Sequence, residues 1–599
     1  MKSAWIGLAF LAACGNHHTG GGGGMYSSID VEPQLASLTV PLGGNVTQDY
    51  QVFGVAGNTK TDITADCTLA VDTTFGAFTA ATLTALPHGG KTPVTAYCGD
   101  LTGSGELVIN LTGTVVTGTG TPANAAGLFG GATTGTDASR VSQLQYPLDG
   151  AVSPRNIPPI EIQWAAAGND LFHVQLLSEF ATIDVYTSDL QSTLGAQDWE
   201  AIAASAAGDT LQFTLEGLAQ ASPQTKYTGT SASITMSKDV IDRTAIYWWA
   251  SSQGNIMQQT FGETTAPGVV MGSCTSCHSV SRTATRIGYS RCINNDCSNL
   301  YAGFLRYDIP TGTWVEAVDA NNATIHGSYT TFAPLGYPFG DDSQSLSIVS
   351  MVDGTLALYD PDSGTPVTSN ISVANVSGQS SLMADWSPDG TKVVFTHTPT
   401  ANQWIDLDGG QIMEMSYTYS AGTHVFGTPQ QLLPSSITLP NGTYTNFFFP
   451  SFSPDGQLIV FNATRTSWRY GASPAKGIGA RLMLAQSAGL WNVDLTALAG
   501  GYVDNNITWA HWAPTESSDY YWLVYSSEQD YGHEVTAANT NPTCRNVGVQ
   551  QCKQIWIAAI ARNKLTGTVD PSAAPMWLPG QDVQADNISP YWSIPAGLQ

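Results

Sequence analysis

Trp386-Ser387-Pro388-Asp389-Gly390-Thr391-Lys392-Val393-Val394-Phe395 is followed later in the chain by Phe452-Ser453-Pro454-Asp455-Gly456-Gln457-Leu458-Ile459-Val460-Phe461. In each copy a bulky aromatic precedes Ser-Pro-Asp-Gly, and an apolar run leaves it. Ser-Pro-Asp-Gly is a turn: proline fixes φ and glycine accepts positive φ, and Asp389 and Asp455 read as structural members of it. The apolar run then reads as a buried strand. Degenerate copies stand at Phe332-Ala333-Pro334, Trp512-Ala513-Pro514, Tyr591-Trp592-Ser593 and, earliest, Val280-Ser281. Counted at residues 281, 333, 387, 453, 513 and 593, the six starts are separated by 52, 54, 66, 60 and 80 residues. Such spacing fits a unit of four short strands with loops. The last start leaves room for a single inner strand, which is expected to close the array against strands from earlier in the chain.

These phrases resemble the TolB-like β-propeller repeats of bacterial periplasmic proteins. The resemblance covers roughly the last 325 residues, with the match strongest at Trp386 and Phe452. It implies a five- or six-bladed propeller, six preferred, over residues 266–599, and protein–protein interaction through a propeller face. Relatives of such propellers carry fused serine peptidases. This chain has no G-x-S-x-G elbow, and no room for an α/β domain after Trp592. H-E-x-x-H and phosphate-loop motifs are also missing.

Upstream, residues 28–116 read as a small Ig-like β-sandwich, with Leu107-Val108-Ile109-Asn110-Leu111 as one strand. Residues 117–142, rich in Gly, Thr and Ala, read as a flexible linker. Residues 143–265 resemble a fibronectin III-like sandwich. Ile160 to Trp164 and Phe172 to Leu176 alternate with period two, and an aromatic hairpin at Ala245 to Met257 is placed at the domain's end. His173 falls on a polar strand face and reads as a surface residue. The fold class expected is all-β: two sandwiches followed by a propeller.

The 599 residues carry 47 Asp+Glu against 21 Lys+Arg, a formal net charge of −26. That balance argues against a nucleic-acid partner, because phosphate binding needs clustered cations. The N-terminus is a targeting segment: Met1-Lys2, an apolar run from Trp5 to Ala13, then Leu11-Ala12-Ala13-Cys14. It resembles a bacterial lipoprotein box. The resemblance implies a signal peptide over residues 1–14 and acyl chains on Cys14. With Gly15 rather than Asp behind the cysteine, it also implies an outer-membrane lipoprotein facing the periplasm or the cell surface. Residues 15–27, with Gly20 to Gly24, are a flexible tether. The membrane is met through the lipid only.

Eight cysteines follow Cys14. In an oxidising compartment Cys67 and Cys98 are expected to pair, as are Cys544 and Cys552. Cys274, Cys277, Cys292 and Cys297 admit three readings. Cys274-Thr275-Ser276-Cys277-His278 is a C-x-x-C-H string, the attachment signature of a c-type haem, with two thiols for thioethers and His278 as axial ligand to the iron. Alternatively Cys274–Cys277 and Cys292–Cys297 are disulfides, or all four thiolates hold zinc. No Gly-x-Met-Pro phrase supplies a distal ligand; His326, His397, His511 and His533 lie in the propeller and are candidates to approach the haem. If Val280 corresponds to Trp386, His278 starts an innermost strand near the central channel. Asp341-Asp342 and Asp406-x-Asp408 read as turn residues. The dense aromatics Trp248, Trp249, Phe447 to Phe449 and Tyr520 to Trp522 read mainly as core, with glycan stacking a minority role.

The expected function is therefore a non-catalytic, lipid-anchored scaffold that binds an envelope protein or another surface component. Its rivals are a monohaem c-type electron carrier and a glycan-binding surface protein.

Overall fold

The computed structural model describes residues 25–272, 276–293, 296–322, 324–341, 344–400, 407–468, 480–503, 505–515, 517–536, 538 and 552–596. Within these, the side chains of residues 276, 277 and 296–299 are not described. Cys14, Cys274 and Cys544 lie outside the described residues, as do the side chains of Cys277 and Cys297. The chain is all-β and forms two compact units, Met1–Asn110 and Leu111–Gln599.

The first unit is a small sandwich. Ser28–Glu32, Gln51–Ala56 and Thr59–Asp62 form one sheet, and Val46–Asp49, Thr82–Ala85 and Gly76–Thr79 another. Gly90–Cys98 pairs with Thr68–Ala70 and with the first residues of Leu101–Thr117. Alternation puts Val94, Ala96, Leu107 and Ile109 into the core beside Val31, Val40 and Leu83. A disulfide joins Cys67 to Cys98 across a sequence separation of 31.

In the second unit, residues 111–117 pair in parallel with Ala181–Thr187. They therefore extend the second sandwich rather than ending the first, which corrects the boundary expected at 116. The expected flexible linker is also corrected. Residues 117–142 contain a helix, Ala125–Gly131, whose Ala125 and Phe129 are buried against Leu171, Tyr186 and Leu218. Two apolar side chains on one helical face suffice to dock a segment whose composition is otherwise that of a linker. Phe129 also covers His173, which stands between Asp184 (2.8 Å) and Glu216 (3.2 Å) rather than free on the surface.

The second sandwich pairs Leu171–Leu177 with Ala181–Thr187 and Thr210–Leu218, and opposes them with Gln143–Tyr146, Glu161–Ala165 and Gln191–Thr193. Its last strand is Ala232–Met236. The aromatic hairpin placed at its end belongs instead to the propeller. Ala245–Ala250 pairs antiparallel with Asn587–Ser593, more than three hundred residues downstream. Its burial on both faces is what a blade strand between two neighbours requires.

Six sheets make the ring among the described residues. Blade one runs outward from Asn587–Ser593 through Ala245–Ala250 and Asn255–Thr260 to Gly268–Met271. Blade two starts at Ser276–Val280, blade three at Gly327–Phe332, blade four at Ser380–Trp386, blade five at Asn446–Phe452 and blade six at Thr508–Trp512. Each innermost strand packs on the next, and the strand of blade six packs on Asn587–Ser593, which in turn meets blade two. The C-terminal strand thus closes the ring, as its isolated repeat start requires.

The repeat phrase marks the turn at the end of each innermost strand. Gly390 takes φ +73° and Gly456 φ +71°. Asp389 Oδ1 accepts from the Thr391 backbone N–H (3.0 Å) and from Ser387 Oγ (2.6 Å), and Asp455 repeats both roles. Trp386 is buried, and its indole N–H donates to Gly390 O (2.9 Å).

Candidate functional site

Six innermost strands line the central channel, and the repeat gives their positions a common register. Three residues before the aromatic of the phrase stand Cys277, Tyr329, Met383, Phe449, Trp509 and Ser589. Met383, Phe449, Trp509 and Ser589 all have φ between 51° and 56°, and the strand register shifts at each. These are β-bulges, which re-aim a side chain. Tyr329, Met383, Phe449 and Trp509 pack with Trp249, Phe448, Trp468 and Ile588 in one buried cluster. Tyr329 of blade three meets Phe449 of blade five edge-on at 5.5 Å, and Phe449 meets Trp509 at 5.2 Å. Side chains from non-adjacent blades touch, so the cluster seals this end of the channel. Cys277 holds the same place in the repeat on blade two.

One residue before the aromatic stand Ser279, Thr331, Asp385, Ser451, His511 and Tyr591, a polar ring. Beyond it Arg282 reaches across the axis. Its Nη2 donates to Trp386 O (3.2 Å) and Phe452 O (3.3 Å) and lies 3.7 Å from Asp385 Oδ2. Asp385 Oδ2 also accepts from the Phe452 backbone N–H at 2.7 Å. Burial raises the Asp385 pKa and lowers that of Arg282, and the charge of each offsets part of that shift in the other. Between Arg282 and the aromatic cluster a cavity of about 50 Å³ remains, lined by members of both rings. That is room for water and little else.

His278 occupies the intervening position, where the other blades carry Thr330, Ala384, Pro450, Ala510 and Pro590. It is 3 % exposed, and neither ring nitrogen has a hydrogen-bond partner among the described residues. Its ring meets Tyr591 edge-on at 5.4 Å; Tyr591 stacks on His511 at 3.7 Å. His511 Nδ1 lies 2.8 Å from Pro590 O, and since a carbonyl can only accept, that nitrogen carries the proton. Burial pushes the pKa of both histidines down to about 3; His511 lowers that of His278 further, and the Arg282 charge lowers that of His511 against the raising effect of the Pro590 carbonyl, so both are neutral imidazoles near pH 7.

Of the histidines expected to approach the haem, His326 stacks on Tyr301 (4.8 Å), His397 bonds Ser381 and Gln379, and His533 bonds Gln191 (2.8 Å) in the second sandwich; His424, also in the propeller, bonds the Tyr417 hydroxyl (2.8 Å). His511 alone among these histidines shares His278's aromatic neighbour. No group of three His, Cys, Asp or Glu placed to hold a metal occurs among the described residues. Cys292 and Cys552 are disulfide-bonded.

The fit of a c-type haem divides into two parts. An orphaned neutral imidazole nitrogen suits an axial ligand. A porphyrin does not suit the space: the His278 ring is packed against Tyr591 within the blade-one and blade-two contact, beside a cavity of about 50 Å³. In the described packing the residues do not fit the macrocycle.

The wider concave surfaces lie off the axis. A groove of about 1000 Å³ separates the second sandwich from blade six, lined by Lys238, Arg562, Lys564, Ser518 and Tyr520 among others. Trp248, Trp249, Phe447 to Phe449, Tyr521 and Trp522 are core, which removes them as glycan platforms. The channel residues Arg282, Asp385 and Tyr591 were not singled out from sequence. Their signal was available at the position one before each repeat aromatic, and in the arginine that follows Ser281.

No family model matches the chain, and no curated protein matches it. Solved structures do. The chain is similar to a putative TolB from Agrobacterium tumefaciens at 14 % identity over 59 % of this chain and 98 % of that one, with TM-score 0.26. It is similar to Sqt1 of Saccharomyces cerevisiae at 7 % identity over 72 % and 87 %, TM-score 0.30. The β-propeller domain of the trilobed protease from Pyrococcus furiosus follows at 10 % identity over 58 % and 79 %, TM-score 0.24. The propeller itself rests on the strand pairing described above.

Proposed function

We propose that this protein is a lipid-anchored component of a bacterial envelope that binds another envelope component and catalyses no reaction. The observation that carries the reading is the groove of about 1000 Å³ between the second sandwich and blade six, within one compact unit. It lies at the upper end of ligand-pocket sizes and suits a segment of a partner chain. The axial channel, sealed by Arg282 and by the aromatic cluster, offers a partner no comparable opening. Lys238, Arg562 and Lys564 line the groove against Asp149 and Asp519, a small cationic excess in a chain with only 21 Lys+Arg, which favours a partner segment with acidic residues facing those three side chains. Cys14 supplies the anchor, and no helix among the described residues is long and apolar enough to cross a membrane.

A photo-crosslinking residue at Asn563, in the groove, is expected to trap one discrete partner in intact cells. The same residue at exposed Thr423, on blade four, is expected to trap none. Equal yields at both positions, or no adduct at Asn563, would overturn the groove as the binding surface. A Cys14→Ser variant is expected in the soluble fraction; retention on membranes would remove the anchor.

A second reading, a monohaem electron carrier held through Cys274, Cys277 and His278, draws on the C-x-x-C-H string and on the unpartnered nitrogens of His278. The packing around His278 opposes it. Protein exported from a host with c-type haem maturation decides the matter. A Soret band and pyridine haemochrome lost in Cys277→Ala establish the haem, and colourless protein beside a coloured control cytochrome rejects it.

A further inference from the structure

A second groove, of about 500 Å³, runs between the outer strands of blades one and two. Gln258, Gln259 and Thr260 line it from one strand of blade one. Gly268, Val269 and Val270 line it from the blade's outermost strand, and Thr313 and Trp314 from the outermost strand of blade two. Trp314 is fixed in place by Tyr307 at 5.3 Å and Tyr247 at 6.5 Å, both meeting it edge-on. The indole N–H, the Gln258 side-chain amide and the Thr260 hydroxyl are in no hydrogen bond among the described residues. No lining residue is charged, in a chain of net charge −26 whose other large groove carries Lys238, Arg562, Lys564, Asp149 and Asp519. Val269 is 58 % exposed at the rim and adds an apolar edge.

We propose that this groove binds a short neutral oligosaccharide. A pyranose offers two kinds of surface: C–H faces that pack on an aromatic ring, and hydroxyls that both donate and accept. Trp314 supplies the ring, already held in one orientation, so little rotamer entropy is lost on binding. Gln258 offers donor and acceptor together, and Thr260 and Thr313 offer hydroxyls. The lining has no cation to compensate an acidic sugar and no carboxylate to select a basic one. The protein's net charge repels uronate- or sulfate-bearing chains further. The site lies on the opposite side of blade one from the groove at blade six, so either can fail without the other.

The test uses the purified full chain on an array of immobilised neutral and acidic oligosaccharides, with affinities of any hits measured by calorimetry. Binding confined to neutral members is expected, with at least tenfold loss in Trp314→Ala and in Gln258→Ala. Gln258→Ala protects the result against misfolding, since its side chain holds no other element in place, and the melting temperature is read for both variants. Absence of binding to every neutral member overturns the proposal, as does equal affinity in a folded Gln258→Ala and the wild type, or preference for acidic members.

Discussion

His278 and His511 are the residues at which the channel meets solution chemistry. Both are neutral in the fold, with pKa values pushed from 6.5 down to about 3. A histidine whose folded pKa is depressed contributes stability above its unfolded pKa and loses it as pH falls toward the folded one. The window here is pH 6.5 to about 3. Asp385, with a raised pKa, has the opposite sign: its contribution is present at low pH and is lost as pH rises through its folded value. Melting temperature is therefore expected to fall on acidification below pH 6.5, and His278→Leu is expected to make that fall shallower while leaving the value at pH 7.5 nearly unchanged. A slope identical to wild type would show that His278 is protonated or solvated in the fold. The histidine itself was legible in sequence as part of C-x-x-C-H. Its burial between Tyr591 and an innermost strand was not, because Tyr591 arrives from 313 residues away.

At the scale of elements, the strand Asn587–Ser593 carries ring closure. Trp592 is 4 % exposed, and its indole N–H donates to Thr244 Oγ1 at 2.9 Å; Ser593 Oγ donates to Ser281 O at 2.8 Å. One strand so bonds blade one and blade two. Trp592→Ala is expected to cost about 3–5 kcal/mol, read as a lowered denaturation midpoint for the propeller. An unchanged midpoint would mean the ring holds without its clasp. The repeat phrases predicted both the inner strand and its closing role, since Ser-Pro-Asp-Gly chemistry is local. The hairpin Ala245–Ala250 was assigned to the wrong domain because a doubly buried strand reads the same in a sandwich and in a blade. The helix Ala125–Gly131 escaped for a related reason. Seven residues rich in Ala and Gly show too little periodicity, and Phe129 becomes a core residue only once Leu171 and Leu218 lie beneath it.

For the whole molecule, the two compact units predict separable stability. The Cys67–Cys98 bridge lies wholly in the first unit, whose core is small. Cys67→Ala is expected to lower that unit's transition by about 3 kcal/mol in the loop-entropy picture, leaving the transition of residues 111–599 in place. A calorimetric trace in which both transitions move together would contradict the division.

Composition, turn chemistry and repeat spacing by themselves determined the all-β class, a ring of five or six blades, the turn residues and the place of the C-terminal strand. Each of these depends on interactions within about ten residues or on a periodicity written along the chain. The tertiary structure alone decided where the sandwich ends and the propeller begins, that the channel is sealed by Arg282 and by aromatics from non-adjacent blades, that His278 is buried beside Tyr591, and which tryptophan faces an open groove. Those features arise where residues far apart in sequence exclude water from one another, and no local pattern records which neighbour will arrive.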